Sequence, residues 1–323
     1  MPKLSIIVPI YNVEQYIEHC ARSLFEQTLD DIEYIFVNDC SLDNSVYILT
    51  DVLKDYPHRI PYVKIINHSV NSGLTKTRNT GLSIAKGDYI AHCDSDDWVD
   101  TDMYSRLYNK AVETNSEIVF SDFYFAYKER VEVYRAADYD KDKKKLIKNY
   151  ISSVWTSLCN MIVKRTIYDN YNLRAPEHIS YCEDFWLSVR LFLYSEKTTK
   201  ISEPFYYYNQ HNETSIMHNL MNYSGDDMRC YLETIDLFIN EGLIDDFQEV
   251  LSWRVLNAFH FDMYHPEKHK EIITIYPASH KYILSCPFYT KKQKTLMWLL
   301  THHCRVLVLL FLKLRHLLGR SEI

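Results

Sequence analysis

Glycine is scarce in this sequence, with six residues among 323. None of them lies between Tyr11 and Arg22, directly after the first apolar run. A nucleotidyltransferase would carry a glycine-rich phosphate loop at that point, so the sequence argues against this class of enzyme. The eight cysteines include no Cys-x-x-Cys pair, and neither a zinc ribbon nor a disulfide framework is indicated. We expect reduced thiols with structural roles.

Long uninterrupted apolar runs are also lacking. The run Leu4–Ile10 is too short for a secretory signal and contains Pro9, so we expect a cytoplasmic protein. Leu296–Leu318 is rich in Leu, Val and Phe, but three basic residues interrupt it, whereas a spanning helix needs about 20 apolar residues. This segment predicts a basic amphipathic helix lying peripherally on an anionic membrane. Burial against the preceding helices, or in a homo-oligomer, is the alternative interpretation.

Acidic residues are nearly missing from the C-terminal part of the chain. Residues 272–323 contain eight Lys or Arg and one acid, Glu322, for a net charge of +7. Subtracting these from the 36 basic and 43 acidic residues of the whole chain leaves 28 and 42, a net charge of −14. The acidic part argues against nucleic acid as a partner. The asymmetry indicates that the two parts meet different partners.

Short apolar runs alternate with helix-length segments through the first part of the chain. This alternation predicts an α/β fold with a mostly parallel sheet covered on both faces. Ligands of such sheets bind beyond the carboxyl ends of the strands, so we expect the functional residues there. Strands are expected over Leu4–Ile10, Ile32–Val37, Tyr62–Ile66, Tyr89–Cys93, Glu117–Ser121 and Pro204–Asn209, and helices within Val13–Gln27, Val46–Leu53, Leu74–Ala85, Met103–Val112 and Asp184–Leu193.

The strongest local signal is the sequence HCDSDDW at His92–Trp98, which has three carboxylates at the end of a predicted strand. Closely spaced carboxylates repel one another, and a hard divalent cation with oxygen ligands stabilises them together. A bound diphosphate would supply the remaining oxygens. An isolated Asp-x-Asp is weak support, because the N-cap of a helix commonly contains one.

Polar residues at other strand ends strengthen this signal. Asp39 follows the second predicted strand, where a free acceptor would suit a nucleobase imide or a ribose hydroxyl, although a turn built on Asp, Asn and Ser is the alternative. Lys76 and Arg78 lie at a basic helix start and could neutralise phosphate. Half of the glycines, Gly73, Gly81 and Gly87, fall in this region, where the backbone must pass close to other groups.

These segments together resemble the inverting glycosyltransferases of family 2, which have the GT-A fold. The resemblance covers about residues 3–125 closely and 155–218 more loosely. It implies transfer of a sugar from a nucleotide-diphosphate sugar, with UDP the expected nucleotide, to a glycan or lipid-linked glycan in surface-polysaccharide synthesis. The matching segments are SIIVPIYN, VNDCSLDNS, NSGLTKTRNTGL, KGDYIAHCDSDD, YCEDFWLSVRL and YYYNQHNETSI, in that order.

The resemblance also implies which residues contact the donor. Tyr11 and Asp39 are similar to the residues that hold uracil and ribose, while Arg78 and Lys76 are similar to those that approach the base or diphosphate. One departure is Cys40, because the family usually has glycine there and glycine adopts a positive φ without strain. The full set of expected donor contacts is Pro9, Tyr11, Asp39, Lys76, Arg78, Asp94 and Ser95.

A metal site and a general base are implied in the same way. Asp96 is similar to the direct ligand of Mn²⁺ or Mg²⁺. His211 matches a position where the family places a His or Arg near the metal or diphosphate, with His218 as the second candidate. Asp97 is expected to cap the following helix. Asp184 is similar to the general base.

The resemblance implies a catalytic domain over residues 1–220, with a nucleotide-binding half at about 1–125 and an acceptor half at about 126–220. A helical region over 221–323 follows. Two points stay open. Trp155 and Trp186 either stack on acceptor sugars or belong to the core, and a catalytically inactive relative that only binds nucleotide-sugar or scaffolds other enzymes is the alternative to an active enzyme.

Overall fold

The computed structural model of the chain describes residues 1–212 and 225–317. Arg305, His316 and Leu317 are described by their backbone alone. The chain divides into two compact units, Met1–Asp226 and the part from Asp227 onward.

The first unit is built on a mixed β-sheet. Within the described residues the strand order is β3-β2-β1-β4-β8-β6-β9-β5, and β7 pairs with β6 outside this path. The strands are β1 Leu4–Ile10, β2 Ile32–Asn38, β3 Val63–Asn67, β4 Tyr89–His92, β5 Trp98–Val99, β6 Ile118–Ala126, β7 Val131–Tyr134, β8 Met161–Lys164 and β9 Thr198–Asn209.

The N-terminal half of this sheet is parallel, as the alternating pattern predicts. Each residue of β1, β2 and β4 is buried, because helices cover both faces of strands made of Ile, Val, Leu and aromatic residues. Antiparallel pairing enters where β8 lies between β4 and β6. The strands β6 and β9 then pair in parallel over Ile118–Ala126 and Thr198–Asn209, with register shifts near Asp122.

The helices of the first unit lie between its strands in the chain. One of them begins within residues 138–148, a segment rich in Asp and Lys, where Asp142 caps the helix by accepting hydrogen bonds from the backbone N–H groups of Lys144 and Lys145. The helices are α1 Ile17–Phe25, α2 Ser45–Leu53, α3 Leu74–Ile84, α4 Met103–Thr114, α5 Lys143–Ser152, α6 Arg165–Asn170 and α7 Glu183–Tyr194.

Two glycines permit close packing of α3 and the turn after it against β1. A Cβ atom added to Gly81 would lie 2.5 Å from Ile7 Cγ2, and one added to Gly87 would overlap the backbone at Ser5. Gly73 has a φ of 87° directly before α3. The close approach predicted for this region is therefore an approach to the central strand.

The second unit is helical, as expected for the part beyond Tyr223. In the last helix Val308 is buried, but several other apolar side chains of that helix are exposed. No helix among the described residues is both long and apolar enough to cross a bilayer. The helices are α8 Asp226–Asn240, α9 Ile244–Ala258, α10 His269–Thr274, α11 Lys291–Thr301 and α12 Arg305–Leu317.

Candidate active site

The polar residues predicted from the sequence lie at one edge of the parallel sheet. Strands β1 and β2 are paired so that Ile10 lies opposite Asn38, and β1 and β4 so that Ile7 lies opposite His92. The segments that follow these three strands therefore leave the sheet at the same edge. They carry Tyr11, Asp39 and Asp94, and this is the edge where ligands of open parallel sheets bind.

Arg78 forms the centre of the site. Its side chain is only 3% exposed and bonds three carboxylates. Nη2 donates to Asp94 Oδ1 at 2.7 Å, while Nη1 donates to Asp184 Oδ1 at 2.6 Å and to Glu183 Oε1 at 2.5 Å. The fold thus brings Asp94, which follows β4, and Asp184, in the first turn of α7, to one guanidinium.

The balance of charge around Arg78 favours uptake of a proton. One cation faces three carboxylates, and burial penalises each negative charge that is not compensated. Burial and the nearby charge of Asp184 raise the pKa of Glu183 to about 8, although Arg78 opposes the shift. Burial likewise raises the pKa of Asp184 above its ordinary value. Glu183 is the more buried of the two, so its charged form carries the larger desolvation penalty.

Asp96 is tied to the end of β9. Its Oδ2 accepts a hydrogen bond from Asn212 Nδ2 at 2.7 Å, and its backbone carbonyl accepts one from Asn209 Nδ2 at 3.0 Å. Burial, together with the charge of Asp94, raises the pKa of Asp96 to about 6. A nearby cation would stabilise the ionised form of this carboxyl group.

The expectation that Asp97 caps a helix is wrong. Strand β5 follows Asp97, and α4 begins only at Met103. The buried Asp97 carboxylate instead accepts hydrogen bonds from the Tyr206 hydroxyl at 2.5 Å and the Asn209 backbone N–H at 2.7 Å. Asp97 therefore holds the acidic segment, Asp94–Asp97, against β9. The two partners on β9 lie more than a hundred residues further along the chain.

Most of the acceptor capacity that the position of Asp39 suggested for a ligand is used within the protein. Oδ1 accepts hydrogen bonds from the Ser72 backbone N–H and contacts His68 Nδ1, both at 2.8 Å, and Oδ2 accepts one from the Gly73 N–H at 2.8 Å. A carboxylate has about four lone-pair sites, so about one remains for a ligand. Cys40, next to it, keeps the positive φ of the glycine it replaces, at 62°.

Of the other expected donor contacts, Pro9, Tyr11 and Ser95 lie at or after the ends of β1 and β4, and Lys76 lies in the first turn of α3, after the Gly73 that bonds Asp39. Lys76 Nζ forms an ion pair at 2.7 Å with Glu177 Oε1, and both side chains are about half exposed. Tyr11 is 48% exposed. Pro9 lies within β1 opposite Val37 of β2. The remaining one, Ser95, is buried between Asp94 and Asp96.

The residues expected to hold the metal, Asp96 and His211, both lie beside the end of β9. The backbone N–H of His211 donates to Asn209 Oδ1 at 2.8 Å, which places this residue beside the segment that holds Asp96. His218 lies outside the described residues. Across residues 1–212 and 225–317, no group of three His, Cys, Asp or Glu side chains is arranged to hold a metal ion.

Several residues of the site were not singled out from the sequence. Glu183 was noted only as the neighbour of Asp184, and Tyr206, Asn209 and Asn212 only as part of a motif. Glu183 binds Arg78, and the other three bind the acidic segment; all these partners are distant in the chain, so no local pattern reveals them. For Asn209 and Asn212, the one available signal was their position at and just after the end of a predicted strand, where side chains meet the strand ends.

The two tryptophans have different surroundings. Trp155 is half-buried and packs against the hydrophobic core, with its ring 6.0 Å from that of Tyr208. Trp186 lies under the guanidinium of Arg190, 3.4 Å from ring centre to Cζ. The core interpretation is supported for Trp155, while an acceptor role for either ring stays a prediction.

Comparison with known proteins gives a consistent result. The sequence model of "Glycosyl transferase family 2" matches residues 5–172. The chain is 33% identical over 217 residues to "Uncharacterized glycosyltransferase EpsJ" of Bacillus subtilis, covering 65% of this chain and 62% of that protein. It is 31% identical over 211 residues to "Poly(ribitol-phosphate) beta-glucosyltransferase" of Bacillus spizizenii, covering 64% of this chain and 32% of that protein. The chain thus spans less than two thirds of these relatives.

Solved structures of glycosyltransferases share the fold. The structure of S. aureus TarS 1–349 in complex with UDP-GlcNAc matches with a TM-score of 0.67 and 18% identity, over 99% of this chain and 93% of that one. The mannosyltransferase PcManGT of Pyrobaculum calidifontis, in complex with GDP-Man and Mn²⁺, matches with a TM-score of 0.57 and 13% identity, over 95% and 87% of the two chains. These likenesses confirm the predicted GT-A fold.

Proposed function

The chain belongs to glycosyl transferase family 2, and on this premise we propose that it transfers a sugar from a nucleotide-diphosphate sugar to an acceptor hydroxyl with inversion. The observation that carries the proposal is the meeting of Asp94 and Asp184 at Arg78. A general base and a donor-side carboxylate must lie this close for one sugar to contact both. An inactive relative would have no need to keep both carboxylates.

We propose that Asp184 is the general base of a single in-line displacement. The acceptor oxygen bonds to the anomeric carbon while its proton passes to Asp184. The bond from that carbon to the donor phosphate breaks on the opposite face, and its electron pair leaves with the nucleoside diphosphate. A pKa raised above that of an ordinary Asp brings the base closer to neutral pH, where general bases work best.

The chemistry of the acidic segment fits a divalent cation. Mg²⁺ and Mn²⁺ are commonly held by one or two carboxylates, with the substrate phosphates completing the shell. We propose that Asp96 is the direct ligand, with His211 beside it and Asp94 on the donor side. A cation bound there would neutralise the charge that develops on the leaving diphosphate.

We propose UDP as the nucleotide of the donor. The TarS structure that shares this fold contains UDP-GlcNAc. Tyr11, Asp39 and Ser95 lie at the sheet edge where the uridine would bind, and Arg78 and Lys76 remain candidates for the base or diphosphate.

UDP with Mn²⁺ is expected to raise the melting temperature of the protein, because a ligand that binds only the folded state stabilises it. The gain is about 2.7 kcal/mol at a ligand concentration 100-fold above the dissociation constant. Thermal shift with UDP, GDP and ADP, each with Mn²⁺, Mg²⁺ or EDTA, measures it. We expect the shift with UDP to exceed that with GDP, and Asp96→Asn to remove the difference between Mn²⁺ and EDTA. An equal shift with and without metal would contradict the ligand assignment.

The acceptor that we propose is a glycan or lipid-linked glycan of a surface polysaccharide. Relatives named "Poly(ribitol-phosphate) beta-glucosyltransferase" and "Minor teichoic acid biosynthesis protein GgaB" support this class. We propose that the enzyme meets such an acceptor at the cytoplasmic face of the membrane. We accordingly propose a catalytic domain over 1–220 and a membrane-contacting helical region over 221–323.

The last helix has the surface that membrane attachment requires. Six apolar side chains of α12 are at least 40% exposed, and the chain from Ile272 to Arg320 contains no acid. Lys313 is exposed, while Arg315 lies over the ring of Tyr264 at 4.1 Å. We propose that α12 lies on anionic lipid, with a homo-oligomer contact as the alternative occupant of the same surface.

The double variant Leu310→Asp/Leu314→Asp is expected to abolish flotation with anionic liposomes, because both leucines are more than half exposed and their burial in lipid would be lost. Leu284→Asp, at a leucine that is 66% exposed outside α12, is the matched control and should float like the wild type. Equal recovery of wild type and double variant in the lipid fraction would contradict the proposal. Concentration-dependent mass in light scattering, lost in the double variant, would favour the oligomer.

A further inference from the structure

The oxygens of Asp94 and Asp184 that Arg78 does not bind face one short turn. Leu158 donates its backbone N–H to Asp184 Oδ2 at 3.3 Å, and the Cys159 thiol donates to Asp94 Oδ2 at 3.7 Å. Arg78 holds the Oδ1 atom of each carboxylate. Both candidate carboxylates are thus held on two sides, by the same guanidinium and by adjacent residues of the same turn.

The turn itself is fixed by hydrogen bonds. It connects α5 to β8, and Leu158 and Cys159 are buried within it. The Ser157 hydroxyl accepts a hydrogen bond from the Cys159 backbone N–H at 3.0 Å. The Asn160 side chain donates to the Ser121 carbonyl, and the Ser121 N–H donates back to the Asn160 carbonyl at 2.9 Å. The donors of the turn are therefore held against β6 and cannot follow a carboxylate that rotates.

We infer that the turn Ser157–Asn160 is a positioning element, which fixes the orientation of the base Asp184 and of the donor-side carboxylate Asp94 relative to each other. The inference rests on the proposed function. A carboxylate held at one oxygen can rotate about its Cβ–Cγ bond, whereas one held at both cannot. About two lone-pair sites remain on each carboxylate, so the restraint leaves room for an acceptor proton or a ligand.

Supporting residues of this kind act on the reaction through the groups they orient. At metal sites, mutating a residue that hydrogen-bonds a metal ligand typically costs about 10-fold to 100-fold in metal affinity or activity. We use the lower end of this range for residues that orient a carboxylate. The Ser157 hydroxyl holds the Cys159 backbone N–H and directly precedes Leu158 in the chain, so its loss should loosen the turn that carries both donors, while the Cys159 thiol reaches only Asp94. The two positions should therefore give different kinetic signatures, because Asp184 acts in the chemical step and Asp94 on the donor side.

The test compares Ser157→Ala with Ser157→Thr, which keeps the hydroxyl, in the Mn²⁺-dependent hydrolysis of UDP-glucose and UDP-GlcNAc. We expect Ser157→Ala to lower kcat about tenfold and also to raise the donor KM, because it loosens the donors of both carboxylates, and Ser157→Thr to restore both constants. Cys159→Ala should raise the donor KM roughly fivefold, a smaller effect because a thiol is a weak donor. Cys286→Ala, which also removes a buried thiol, is the control and should match the wild type in both constants.

The outcomes separate this inference from the proposed function. A wild-type protein that neither hydrolyses these donors nor binds UDP overturns the proposed function and the inference with it. An active wild type whose Ser157→Ala and Cys159→Ala variants have unchanged constants overturns the inference alone. The same holds if Ser157→Thr is as impaired as Ser157→Ala, or if Cys286→Ala loses as much as Cys159→Ala, because the effect would then be general loosening of the fold.

Discussion

Asp184→Asn is expected to lower the rate of sugar transfer by about 10²–10⁴, the usual contribution of a general base. The amide cannot take the proton of the acceptor hydroxyl, yet it has nearly the same size and can still accept a hydrogen bond from Arg78. The contact with Arg78 should therefore persist, while the proton transfer and the hydrogen bond from the Leu158 N–H are lost. Steady-state kinetics with a UDP-sugar and Mn²⁺ measure the loss. The thermal shift produced by UDP and Mn²⁺ should stay close to that of the wild type.

The neighbouring carboxyl provides the matched control for this prediction. Glu183 binds the same guanidinium, but its pKa of about 8 means that it is mostly protonated at pH 7. Glutamine resembles a protonated glutamate, so Glu183→Gln should keep most of the activity. If Glu183→Gln lost as much activity as Asp184→Asn, the base would not be assigned to Asp184. Near-normal transfer by Asp184→Asn would refute the assignment directly.

The parts of this fold that depend on residues adjacent in the chain could be predicted from the sequence. Apolar runs such as Leu4–Ile10 and Ile32–Asn38 are strands in the structure because every side chain in them is buried. The position of Asp94 follows from the strand before it, and the edge of the sheet follows from the parallel topology. The meeting of Asp94 with Asp184 was expected only from the resemblance to a family.

The parts that could not be predicted depend on contacts between distant segments. Asp97 was expected to cap a helix because a helix pattern begins a few residues later, but its partners Tyr206 and Asn209 lie on β9. Asp39 was expected to have a free acceptor, because nothing in the sequence indicates that the Ser72 and Gly73 N–H groups turn toward it. For Asp97 the tertiary hydrogen bonds replace the helix cap that the local sequence favoured, and for Asp39 they occupy the acceptor that was expected to be free.

Arg78 was singled out from the sequence, but its contacts with distant segments could not be predicted either. A contact with the base or diphosphate was expected from its place on α3, and that contact stays a prediction. Its Nη atoms are committed to Asp94, Glu183 and Asp184 in the structure. A diphosphate that reached Arg78 would have to share the guanidinium with these carboxylates. Arg78 therefore has a structural role in addition to any contact with the donor.

Arg78→Met is expected to destabilise the protein by about 3–5 kcal/mol, because removing one partner of a buried ion pair leaves the other charge uncompensated. Here three carboxylates lose their common cation, while methionine keeps the apolar volume of the stem. Urea denaturation measures the free energy of unfolding. Arg78→Lys keeps the charge but not the fork that reaches all three carboxylates, so it should lose less than Arg78→Met.

The dependence of this loss on pH tests its electrostatic origin. Arg78 opposes the raised pKa values of Glu183 and Asp184, so without it these two pKa values should lie further above the unfolded value of about 4, and the folded state should bind more protons than the unfolded state. The free energy of unfolding of Arg78→Met should therefore rise as the pH falls from about 8 toward 5. Adding Glu183→Gln removes a group that must take up a proton on folding and should recover part of the loss at pH 8. A deficit that stays the same at both pH values would mean that Arg78 stabilises the fold by packing and not by its charge.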